Sequence, residues 1–350
     1  MRKRPLSARR ERMTTASGHS SKNAAAAAEN AAAGAQDAAA GDEHTAAASD
    51  TAAAAESAAA PRCNLCGSGD IATYHDQGWR RVVTCRRCGL VFVDPMPTLE
   101  QKAEIERLAY EGELLPEVSD FFRNCHRDFQ DDPVIESFRT GLRSIGSVRT
   151  PGRLLDVGPG TGIFLYLAKK EFGWQPSGVD ICMESAVKAK EEFDIDLEVG
   201  DFNTYPWAAA SFDAVTMLDV LEHTTDPLAS LRRAYELLEP GGALYVVVPN
   251  QHCLLTAILD RWIQMGGPMH SYFLERLYVS PHEYYFFPRT LRAYLEKAGF
   301  EVADMRTGNV YLGRYRLPLW MRIPMEIVLQ TGNLFGMGAK IMALARKADS

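Results

Sequence analysis

The chain has 350 residues, 46% of them hydrophobic, with a formal charge of −7 and seven cysteines. That length is enough for a full core and fits two folded units at roughly 100–200 residues each. The acidic balance argues against a nucleic-acid partner, which needs a dense basic surface, and the lack of any run of 18 apolar residues argues against a membrane-spanning helix.

Residues 1–60 contain 24 alanines, seven basic and seven acidic side chains and no aromatic residue. So little burial cannot offset the entropy of ordering a chain, and the stretch reads as a disordered tail. Six of its basic residues stand in the first twelve, but no apolar core follows as a secretory signal requires. A cytoplasmic protein is expected.

A zinc ribbon is predicted over 61–97. Cys63-Asn-Leu-Cys66 and Cys85-Arg-Arg-Cys88 are two C-x-x-C knuckles separated by eighteen residues. Four thiolates so spaced close tetrahedrally on one Zn²⁺, which replaces the core that so short a segment lacks. A closed Cys₄ set leaves no open coordination position, so this zinc is structural. Cys125, Cys182 and Cys253 have no metal-like spacing.

Residues 98–150 read as a helical lid or linker, opened by a capping box between Thr98 and Gln101. Within it Tyr110 and His126 are candidates for reaching a substrate. The sequence from Arg153 to Leu165 then reads as a strand, a glycine turn and a helix, over Asp156-Val-Gly158-Pro-Gly160-Thr-Gly162. Glycine permits the tight turn and leaves the backbone open to a ligand, toward which the helix N-terminus points its N–H groups. A pyrophosphate fingerprint, G-x-G-x-x-G, would put its third glycine at Ile163, so that geometry is excluded.

Strand and helix alternate onward, as in a parallel sheet with helices on both faces. The helix 163–172 is followed by a strand ending in Asp180, a helix 183–193 and a strand 196–200 that delivers Asp201 and Phe202. A fourth strand, 212–218, runs into Asp219-Val-Leu-Glu-His223, and a helix 227–238 precedes a fifth strand, 243–248. Residues 249–287 interrupt the alternation with His270 and a Pro281-His-Glu-Tyr-Tyr-Phe-Phe-Pro288 run, placed where open α/β sheets bind ligands. A helix to Gly299, a strand over 300–306 and a last, antiparallel strand over 340–346 complete the order. Between those two strands, 317–330 is apolar with scattered arginines and reads either as core packing or as an amphipathic helix touching a membrane surface or lipid substrate.

The Asp156-x-Gly158-x-Gly160-x-Gly162 turn resembles motif I of the class I S-adenosylmethionine (SAM) dependent methyltransferases, and Asp219 to His223 resembles the corresponding motif of the ubiquinone-biosynthesis type. The resemblance implies an α/β, Rossmann-like seven-stranded sheet over 151–350, its last strand antiparallel, with SAM as cofactor. It implies that Asp156, Gly158, Gly160, Gly162, Asp180, Asp201, Phe202 and Asp219 bind SAM, Asp180 at the ribose and Asp201 with Phe202 at the adenine. The acceptor classes it implies are small molecules, sugars and lipids.

Deprotonating a hydroxyl acceptor needs one base, and histidine titrates in the useful range. His223 stands first at the mouth of the site, with a positional or capping role for Glu222-His223 as the alternative; His282 is second, and His270 and Glu283 follow. Two rival readings remain open. In one, an rRNA methyltransferase grips RNA through Arg80, Arg81, Arg86 and Arg87; in the other, the protein binds SAM without catalysis.

Overall fold

The computed structural model describes residues 61–76, 81–98, 101–102, 133–266, 277–278, 282–312 and 318–349. The 1–60 tail, Arg80, Tyr110, Cys125, His126 and His270 lie outside the described residues.

Two sheets organise the described residues. The larger has seven strands in the order β10-β11-β8-β7-β4-β5-β6, where β4 is Arg153–Val157, β5 Gln175–Asp180, β6 Glu198–Val199, β7 Phe212–Leu218, β8 Leu238–Pro249, β10 Glu301–Gly308 and β11 Lys340–Arg346. Only β11 runs antiparallel to its neighbours. The central strands are buried on both faces, which is why Leu154-Leu155 and Ala214-Val215 read as continuous apolar runs rather than alternating ones.

Helices α1 (Pro133–Gly146), α2 (Ile163–Phe172), α3 (Met183–Phe193) and α4 (Pro227–Leu237) cover this sheet with α6 (Pro288–Lys297). Helix α2 starts on Gly162 and stops on Gly173, both in the left-handed region. Helix α4 starts where Asp226 accepts the Ala229 N–H at 2.9 Å, with Pro227 in the first turn, so the Asp-Pro pair is its cap. The Thr98–Gln101 capping box is present in both directions, at 2.9 and 3.2 Å.

The second sheet belongs to the ribbon: β1 (Ile71–Asp76), β2 (Arg81–Cys85) and β3 (Val91–Asp94). A fourth strand, β9 (Tyr284–Tyr285), arrives from the interruption after β8 and pairs with β3, Val91 opposite Tyr285 and Phe92 opposite Tyr284. Cys63, Leu65, Val83, Cys85, Leu90 and Phe92 therefore pack into the same apolar cluster as Leu221, Phe286 and Tyr294 of the part built on the larger sheet. Polar contacts bind the two further: Asn64 bridges Asp226 and Tyr294, each at 3.0 Å, and His75 meets Asp260 of α5 (Leu254–Gln264) at 2.9 Å.

Three boundaries differ from the sequence expectation. The third strand shrinks to Glu198–Val199, an edge strand with both side chains exposed, while β8 begins at Leu238, its start pairing with Phe212 through a register shift. Residues 319–334 form helix α7 (Leu319–Leu334), which buries only Leu329 and Gly332. Trp320 is 75% exposed while Leu329 packs with Cys253 and Leu312, so core packing accounts for only part of this apolar segment. Among the described residues no helix is long and apolar enough to cross a membrane.

Candidate active site

The glycine turn between β4 and α2 adopts the left-handed backbone at Gly158, Gly160 and Gly162, with φ of 63°, 55° and 79°. Their surroundings differ. A Cβ at Gly158 would stand 2.7 Å from Val220 and one at Gly162 2.9 Å from Ala189, whereas at Gly160 nothing lies within 4 Å. The first and third glycines are thus packed from behind, and the middle one faces open space where a ligand can approach the backbone.

Asp180, at the end of β5, is buried beside that turn; one carboxylate oxygen accepts the Gly160 N–H at 3.1 Å and the other the Cys182 N–H at 2.9 Å. Burial raises its pKa against those hydrogen bonds, which lower it. Gly200 donates to the Asp180 carbonyl at 2.9 Å, which brings Asp201 and Phe202 to the same edge. Phe202 is buried, and Asp201 is exposed with its carboxylate accepting the Asn203 N–H at 3.0 Å. Asp156 lies one layer deeper: it is fully buried, accepts the Thr216 hydroxyl at 2.5 Å, and burial pushes it up to about 7.

The carboxyl end of β7 forms the other wall. Asp219 is held at φ 57°, a strained conformation for a residue with a Cβ, and its carboxylate is met by Lys340 of β11. A short 3₁₀ turn, Leu221–His223, follows. His223 and His282 come together there, ring centroids 4.8 Å apart at 67°. Glu222 is 1% exposed, and among the described residues neither carboxylate oxygen has a hydrogen-bond partner. Burial first, then the charge of Asp219, raises the Glu222 pKa well above the usual carboxylate range, with Lys340 opposing. One ligand atom from each of Glu222, His223 and His282 lies within 4.8 Å of the others, a spacing that can hold a cation. Glu283 pairs with Lys102 at 3.6 Å, and Lys102 also donates to the His223 carbonyl.

The structure thus gathers Gly158, Gly160, Gly162, Asp180, Asp201 and Phe202 on one side, and Asp219, His223 and His282 on the other. Lys102 and Lys340 escape the sequence reading, because each reaches the site from a distant element. Glu222 had a signal, an acid next to the candidate base, which a capping role absorbed.

At the ribbon, the four Sγ atoms lie within 4.8 Å of one another, with Cys63–Cys88 and Cys66–Cys85 at 3.5 Å. Ligands at roughly 2.3 Å from a tetrahedral centre stand at nearly that separation, so the set fits Zn²⁺. Burial drives the Cys63 thiol far up and Cys88 up to about 11. At Cys85 burial is outweighed by the Cys88 and Arg87 N–H groups, which bring it down to about 7.

Comparison with known proteins decides the family. Residues 136–304 match the model of a methyltransferase domain. A ubiquinone biosynthesis O-methyltransferase from Xanthomonas campestris is 32% identical over 173 residues, 47% of this chain and 69% of the relative. The chain belongs to the class I SAM-dependent methyltransferases. A second relative of this methyltransferase, the enzyme of the same name from Ralstonia nicotianae, is 31% identical over 181 residues, 47% of this chain and 70% of its own. A solved SAM-dependent methyltransferase from Archaeoglobus fulgidus aligns with a TM-score of 0.44 at 20% identity, over 61% of this chain and 94% of that one.

Proposed function

We propose that this methyltransferase moves the methyl group of SAM to a hydroxyl oxygen of a small-molecule, sugar or lipid acceptor, with the paired rings of His223 and His282 on the acceptor side. The single observation that carries the reading is that pair, 4.8 Å apart at the carboxyl end of β7. SAM supplies a methyl carbon already activated on a sulfonium. The enzyme's own residues then have to orient the acceptor, exclude water and take one proton from the attacking hydroxyl. His223 is the base in this reading and His282 its neighbour. Asp180 meets the ribose, Asp201 and Phe202 the adenine, and Asp156 and Asp219 support the amino-acid end beside the glycine turn. The four cysteines hold a structural Zn²⁺. Relatives named as ubiquinone biosynthesis O-methyltransferases support oxygen and a small molecule over RNA.

The test is a methyl-label transfer assay on cell extract separated into lipid, glycan, RNA and small-molecule fractions. Label is expected outside the RNA fraction; label in RNA alone sinks the reading. His223→Ala should keep SAM affinity and slow transfer by roughly 10²–10⁴-fold, and an unchanged rate removes His223 as the base.

The buried Glu222 carboxylate favours a second reading, in which Glu222, His223 and His282 bind a divalent cation. A cation there would lower the pKa of a coordinated acceptor hydroxyl. Equilibrium dialysis with Mg²⁺, Mn²⁺ and Zn²⁺ should then show one site beyond the cysteine site, lost in Glu222→Gln. Equal binding in both proteins rejects this version.

A further inference from the structure

We infer that the cysteine ribbon is a working part of the active site: its strand β3 holds Glu283 to Tyr285 in place and so positions His282 against His223. The segment carrying His282 is gripped on both sides by backbone hydrogen bonds. The Val93 N–H of the ribbon donates to the Glu283 carbonyl at 2.9 Å, and the Glu283 N–H donates to the Glu222 carbonyl at 2.9 Å. One residue thus joins the ribbon to the loop that bears His223.

Side chains reinforce the joint. Tyr284 stacks on Phe92 of β3 at 6.2 Å and 24°, and its hydroxyl donates to the Thr225 carbonyl at 3.1 Å, two residues beyond His223. The ribbon also reaches the next turn directly, where Asn64, beside the ligand Cys63, donates to Asp226 at 3.0 Å. The SAM side meets the ribbon through the apolar cluster they share, which contains Phe202 and Val179, rather than through a joint of this kind. Gly158, Gly160, Gly162 and Asp180 sit on β4, β5 and α2, held by contacts within the large sheet such as Gly158 N–H to the Val179 carbonyl at 2.9 Å. The ribbon's hydrogen bonds and ring stacking thus fall on the half of the site that carries His223 and His282. Tyr284 is a positioning residue, and the cysteine metal acts on the acceptor side through it.

The experiment follows the nuclear Overhauser effect between the His223 and His282 rings in the full-length, histidine-labelled protein, together with SAM affinity by calorimetry. Neither measurement needs the acceptor, so the outcome is independent of whether the proposed acceptor class is right. The ring-to-ring effect should be present in the zinc-loaded protein, vanish on chelation and return on reloading. It should vanish in Tyr284→Ala and survive in Tyr284→Phe, which keeps the stacking ring. SAM affinity should stay within about threefold throughout. Persistence of the effect after chelation or in Tyr284→Ala overturns the inference, because the methyltransferase part would then hold the pair unaided. A fall in SAM affinity of tenfold or more in step with the lost effect also overturns it, since the ribbon would then be a general support.

Discussion

Asp156 shows how a single buried group ties stability to pH. Among the described residues its carboxyl has only the Thr216 hydroxyl to favour ionisation, while burial and then the charge of Asp180 push its pKa from 3.8 to about 7. The folded protein therefore holds a proton that the unfolded chain releases, and the stability this gives is fully present below about pH 4 and lost as pH rises through 7. Replacing the group with a permanently neutral one removes the dependence. Relative to Asp156→Asn, the wild type should lose on the order of 3 kcal/mol between pH 5 and pH 8, each pKa unit being worth about 1.4 kcal/mol. Urea denaturation of the two proteins across that range measures the difference, and a difference that does not vary with pH contradicts the assignment.

At the scale of elements, the glycine turn separates packing from ligand approach. Gly160→Ala and Gly162→Ala both place a Cβ on a left-handed backbone, at a cost of about 1–2 kcal/mol each. Only Gly162→Ala adds a contact of 2.9 Å with Ala189, so it should unfold at the lower temperature. Gly160→Ala meets open space and should melt closer to wild type while losing most of its SAM affinity. Melting curves and calorimetry on the pair decide it; equal loss of stability in both would mean that the middle glycine is not the open one.

Elements with a strong local signal were legible in the sequence. Helix α2, helix α3, β7 and β11 begin and end where the apolar pattern and its flanking residues place them. The third strand was overcalled because Glu198 and Val199 sit at a sheet edge with little to bury. Strand β9 was invisible for another reason: two tyrosines carry no periodicity, and their partner is set by a ribbon about 190 residues earlier. The same holds within the site. The glycine turn with Asp180 follows from local spacing, whereas Lys340 against Asp219 depends on the register of β11 beside β8.

For the whole molecule, the shared apolar cluster predicts how the protein responds to metal loss. Cys63 and Cys85 pack with Leu221, Phe286 and Tyr294 in one continuous core. Ribbon and methyltransferase sheet should therefore melt together in a single transition. Chelation should lower that transition by about 3 °C or more, since a loss of about 2 kcal/mol, at roughly 2.1 cal/mol/K of unfolding entropy per residue, moves a protein of this size by about 3 °C. Scanning calorimetry with and without chelator measures it. Two separate transitions in the loaded protein would show that the ribbon folds and unfolds alone.

The pairing of β3 with β9 also sets a timetable for the chain as it leaves the ribosome. Val91 and Phe92 emerge about 190 residues before Tyr284 and Tyr285, which at roughly 5–20 residues per second is a wait of about 10–40 seconds. Through that interval β3 is an open strand edge with a bare aromatic ring, the kind of surface that recruits other strands. Slowing synthesis between the two segments should lengthen the exposure and send more of the product into aggregates, and a chain supplied with β9 early should escape them.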